Sequence, residues 1–106
     1  MKNRHFANFH IAGFTYNDGI DVFENLKIGT PVTLVAEPEN GFDPNAVAIY
    51  FNEFKLGFVP KSENKEVSQF LNLGYTNLFE AKINRVSPEE HPEQQVSVIV
   101  RIKEKK

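Results

Sequence analysis

Glu37-Pro38-Glu39-Asn40-Gly41-Phe42-Asp43-Pro44-Asn45-Ala46-Val47 lies between two apolar runs, Val32-Thr33-Leu34-Val35-Ala36 and Ala46-Val47-Ala48-Ile49-Tyr50. Both runs are rich in β-branched residues and read as strands. An ordinary hairpin needs a turn of only about two to five residues. This connection is longer, and it carries Pro38, Pro44 and the aromatic Phe42. Proline, Asn-Gly and Asp-Pro pairs shape turns, whereas a phenylalanine has no turn role. Long loops with an aromatic on a strand scaffold are where binding surfaces concentrate.

The pattern outward from this loop is mostly strand. Strands are expected at about 32–37 and 45–52, and Asn52-Glu53 is a tight connection to a third, Phe54 to Val59. Pro60 ends that strand because it cannot donate to a ladder. Upstream, Phe6 to Ile11 alternates as a half-buried strand does. Asp18 to Leu26 places Ile20, Phe23 and Leu26 on one face of a short helix, with Asp18 as its N-cap. Downstream, Ser62 is the expected N-cap of a helix over 62–73. Its face carries Val67, Phe70 and Leu71, and Gly74 is the C′ residue. Phe79 to Val86 and Val96 to Ile102 both alternate with period 2. The polar, proline-rich link Ser87 to Gln95 is expected to be mobile.

Six short strands with one short and one longer helix fit a mainly β chain, folded as a small, partly closed β-barrel. The alternative is an open α+β sheet. A length of 106 residues suits one domain over 1–106, with a core of about 6–103 and a frayed tail at 104–106. Hydrophobic residues at 41% and charged residues at 25% are ordinary for a soluble chain. No run approaches the ~18 apolar residues of a membrane span. No apolar stretch follows Met1-Lys2-Asn3-Arg4-His5, so no signal peptide is visible and a cytoplasmic home is expected. The absence of cysteine removes disulfides, thiolate nucleophiles and cysteine-based zinc sites.

The residues that could carry chemistry point away from catalysis. His5 and His10 are five apart, on opposite faces of a strand, and His91 lies in a loop. The six glycines are scattered and form no phosphate loop. No cofactor and no metal are expected. For binding, Tyr16, Phe42 and Phe58 sit near strand ends or turns, and exposed aromatics on a barrel stack unpaired bases. Lys61, just before the expected helix, makes a seat for one phosphate, and Asp43 can accept a sugar hydroxyl. Structural readings stand beside these. Phe42 can fold back over the barrel end, Asp43 can cap the Pro44-Asn45 turn, and Lys61 can be a solvated lysine. A net charge of −2 argues against extended phosphate contact.

The order of four segments resembles the HIRAN domain family. They are Ile11-Ala12-Gly13-Phe14-Thr15-Tyr16, Leu26-Lys27-Ile28-Gly29 leading into Val32-Thr33-Leu34, the stretch Glu37 to Tyr50, and Leu56-Gly57-Phe58-Val59-Pro60. The resemblance implies a modified OB-like barrel with two helices and a non-catalytic module that binds the 3′ end of single-stranded DNA in repair or remodelling. It implies Tyr16 and Phe42 as the aromatic pair for the terminal base. Asp43, helped by Asn40, would meet the terminal 3′-hydroxyl, and Lys61 a phosphate. Two positions depart from the pattern of the eukaryotic members. Thr15 stands where they carry a basic residue, and Phe58 where they carry a histidine. Losing a charge-assisted hydrogen bond of about 1.5–3 kcal/mol at Thr15 would weaken binding about ten-fold or more. Phe58 could add stacking instead. Partners such as helicases or nucleases fit this reading. The competing readings are a protein-interaction or assembly module using the same aromatics, and, last, a part of a hydrolase or helicase system.

Overall fold

The computed structural model describes residues 4–103. Residues 1–3 at the N-terminus and 104–106 of the expected tail lie outside the described residues. Six strands follow one another as β1 (Arg4–His10), β2 (Pro31–Ala36), β3 (Val47–Phe51), β4 (Phe54–Phe58), β5 (Phe79–Val86) and β6 (Val96–Ile102), with helix α1 (Lys65–Asn72) between β4 and β5. The order across the sheet is β1-β6-β5-β2-β3-β4, and every pairing is antiparallel.

The sheet curls until its two edges approach. Ala12, just past β1, and Phe58 of β4 exchange both backbone hydrogen bonds at 2.8 Å. This single bridge closes one end of a half-barrel, as the strand pattern leads one to expect. Gly57 makes the approach possible. Its φ of +151° is open to glycine, and a Cβ there would come within 2.4 Å of the Ala12 carbonyl oxygen. The interior is filled by Ile11, Val47, Ile49, Leu56, Ile83, Val98 and Val100, with Val67 and Leu71 of α1 packed against it.

The helices differ from expectation in informative ways. Residues Ile20–Asn25 form a 3-10 helix, not an α-helix, in keeping with the three-residue spacing of Ile20, Phe23 and Leu26. Val22 is its buried residue and Leu26, directly after it, is buried too, whereas Ile20 is exposed. Asp18 does not cap it; its carboxylate accepts the Lys55 N–H at 3.2 Å. A second 3-10 turn, Phe14–Tyr16, precedes it. Helix α1 starts after Asn64, not Ser62, because the Glu63 N–H is already bonded to the Pro60 carbonyl in a preceding turn. The expected stop at Gly74 is present, with φ +97°. The Tyr75 N–H reaches the Phe70 carbonyl and the Gly74 N–H reaches Leu71, the hydrogen bonds of a Schellman cap. Phe70 is partly exposed, and its ring meets Tyr75 and Phe79.

Candidate nucleic-acid interface

The loop between β2 and β3 is built by its own polar side chains. The Asn40 side-chain oxygen accepts the N–H groups of Phe42 at 2.8 Å and Asp43 at 3.1 Å. Its amide nitrogen donates to Glu37 at 3.1 Å. These bonds hold the apex so that Phe42 points outward, 95% exposed. Phe42 therefore does not cover the barrel end. Asn40 is committed to shaping the loop.

Asp43 both caps a turn and faces outward. One carboxylate oxygen accepts the Asn45 N–H at 2.9 Å, the turn-capping bond anticipated for it. The other accepts the side-chain amide of Asn64 at 2.9 Å. The Asn45 N–H and the Asn64 amide, with the Lys61 charge beyond them, hold the Asp43 carboxyl below the ordinary aspartate range. It stays ionised at neutral pH.

A groove of about 440 Å³ runs beside this loop. It brings together Asn40, Phe42, Asp43, Phe58 and Lys61 with Lys55 and Asn64. Its floor is the closure of the barrel, where Phe58 pairs with Ala12. Lys55 was not anticipated. Its ammonium lies 2.7 Å from a Glu37 oxygen and 4.5 Å from the centre of the Phe58 ring. The Lys55 hydrogen bond holds the Glu37 carboxyl below its ordinary range, against the effect of burial. One face of Phe58 is thus already covered by a cation, which leaves less of the ring for stacking. Lys61 is exposed and lies four residues before the first residue of α1, not directly before the helix as expected, and it lines the groove together with Asn64.

Tyr16 and Thr15 lie apart from the groove lining, on the 3-10 turn that leaves it at Ala12. Gly13 opens that turn with φ +71°, and the buried Phe14 ring anchors it against Phe23. Tyr16 is 87% exposed. Thr15 faces Glu93, whose carboxylate accepts the Thr15 hydroxyl at 2.6 Å, the Thr15 N–H at 2.8 Å and the Gly13 N–H at 2.9 Å. Glu93 belongs to a 3-10 turn, Pro92–Gln94, within the link that looked loose in sequence; that link is tied across the molecule. No local signal announces this, because the partners are about eighty positions apart in the chain. Among the described residues no group of three or more His, Asp or Glu side chains is placed to hold a metal ion. No helix among them is long and apolar enough to cross a membrane.

The family model described as the HIRAN domain matches residues 5–103. The chain belongs to the HIRAN domain family. HIRAN domains are a nucleic-acid-binding family, non-catalytic in themselves. The fold is similar to the crystal structure of a protein from Lactobacillus plantarum, with a TM-score of 0.79 at 18% identity over 97% of this chain and 98% of that one. It is also similar to the HIRAN domain of human HLTF, with a TM-score of 0.62 at 17% identity over 96% of this chain and 81% of that one. A search of curated proteins returned no match. In this HIRAN domain the outward Phe42 and the ionised Asp43 come from one loop, and β4, Ala12 and the residue before α1 complete the groove beside them.

Proposed function

We propose that this HIRAN domain binds single-stranded DNA at a 3′ end, without catalysis, in repair or remodelling. The observation that carries the reading is Asp43, an ionised carboxylate fixed at the edge of an apolar groove and next to the outward ring of Phe42. Phe42 offers a stacking face for the terminal base, and Tyr16 a second one from the neighbouring turn. The carboxylate accepts a hydrogen bond from a terminal hydroxyl and repels a phosphate at the same place. Lys61 supplies a cation for one phosphate, and Lys55, in competition with its Glu37 partner, a second. Asn40 contributes by holding the loop, and Thr15 by anchoring its turn to Glu93.

Fluorescence anisotropy with short oligonucleotides ending in a 3′-hydroxyl or a 3′-phosphate tests the proposal. Tighter binding of the hydroxyl-ended strand is expected; equal affinity for the two ends, or none for either, would reject it. One observation favours a second reading, a protein-interaction surface: the groove's acidic Glu37 and Asp43 balance its lysines, and Thr15 contributes no positive charge. A protein ligand displaced by Phe42→Ala, from a chain that shows no DNA affinity at low salt, would decide for it.

A further inference from the structure

Asn64 is a polar side chain only 3% exposed, directly before α1. An asparagine there ordinarily turns its oxygen back onto the first free N–H groups of the helix. Asn64 makes no such cap. Its amide instead donates 2.9 Å across to Asp43, twenty-one positions earlier in the chain. Burying a side-chain amide is costly unless it is bonded, and here the bond serves the loop, not the helix.

Resting on the DNA-end reading above, we infer that Asn64 is a positioning residue that sets the direction in which Asp43 accepts a ligand hydroxyl. A carboxylate has about four acceptor positions on its two oxygens. The Asn45 N–H takes one on Oδ1 and the Asn64 amide takes one on Oδ2. Together they prevent rotation of the carboxylate plane, and the remaining acceptor positions point in fixed directions. The Asn45 bond is local to the turn and leaves the carboxylate pivoting on one oxygen. The Asn64 bond comes from another element and removes that freedom. Because Asn64 donates, it also selects the ionised form of Asp43. Discrimination between a hydroxyl and a phosphate end depends on both properties, whereas stacking on Phe42 depends on neither.

NMR on the free protein and anisotropy on the complex test this. In the wild-type chain, the Asn64 side-chain amide signal is expected to follow the acid titration of the Asp43 carboxyl carbon with the same midpoint. In Asn64→Leu the Asp43 midpoint should rise toward the ordinary aspartate value. In the isosteric Asn64→Asp it should rise further, because two carboxyls then compete for one proton. The Asn64→Leu variant, checked for folding by its melting transition, should reduce the preference for 3′-hydroxyl over 3′-phosphate ends about two- to ten-fold, the size of one hydrogen bond. An Asn64 amide that ignores the Asp43 titration overturns the inference even if neither variant folds. An unchanged end preference in folded Asn64→Leu overturns it as well. A wild-type chain with no end preference rejects the DNA-end reading instead, while the NMR titration still reports whether Asn64 and Asp43 are coupled.

Discussion

Phe42 and Asp43 are neighbours in sequence with opposite relations to the fold. Phe42 makes no inward packing, so Phe42→Ala should leave the melting temperature nearly unchanged. Its oligonucleotide affinity should nonetheless fall by about 1–3 kcal/mol, the worth of one stacked base. Tyr16→Ala is expected to behave in the same way, since Tyr16 is equally outward. Anisotropy and thermal melts on the same samples check both. A large stability loss with either substitution would mean that the ring packs against the protein in solution. Asp43 differs because its carboxylate also holds the turn and Asn64. Replacing it therefore disturbs the loop along with any ligand, and Phe42→Ala is the cleaner probe of binding.

At the level of elements, two contacts join parts of the chain that sequence order keeps apart. The first is the bridge between Ala12 and Phe58, which requires Gly57. Gly57→Ala forces a Cβ onto the Ala12 carbonyl and a disfavoured φ, so a loss of about 1–3 kcal/mol in urea unfolding is expected. The groove floor should open with it, lowering affinity too. The second contact is Glu93 on the Phe14–Tyr16 turn. Burial pushes the Glu93 carboxyl up, but the Thr15 hydroxyl and the N–H groups of Thr15, Gly13 and Phe14 outweigh it, and the group ends below its ordinary value of 4.5. A carboxyl lowered on folding adds stability that is fully present above that value and lost as pH falls through the lowered one. Wild type should therefore lose stability below about pH 4.5 more steeply than Glu93→Gln, as measured by urea unfolding across pH. Identical slopes for the two proteins would mean that Glu93 does not anchor the turn.

For the whole molecule, charge bears on the proposed binding mode. A net charge of −2 argues against a long phosphate track. The groove offers Lys61, and Lys55 only in competition with Glu37. If one or two phosphates are engaged, log K should fall against log salt with a slope of about −0.7 to −1.4. A titration between low and moderate salt measures it. A much steeper slope would place the strand on some other, more basic face. The half-barrel closed at one end suits such end recognition, because the groove lies where the sheet edges meet.

Much of this was legible in the chain itself. The period-2 runs set β5 and β6 residue for residue, and Gly74 marked the end of α1, because both are local matters of side-chain spacing and of one residue that tolerates positive φ. The long loop after β2, its turn residues and its odd aromatic were equally plain. The start of α1 was misplaced by two residues because Ser62 and Asn64 are both good caps, and only the Pro60–Glu63 turn chooses between them. Tertiary structure alone decided which side chains meet. Lys55 against Glu37, Asn64 against Asp43, and Glu93 against Gly13 and Thr15 are contacts between distant segments. Hydrophobic spacing encodes which face of an element is buried. It does not encode which polar group the curl of the sheet will carry to within hydrogen-bond reach of another.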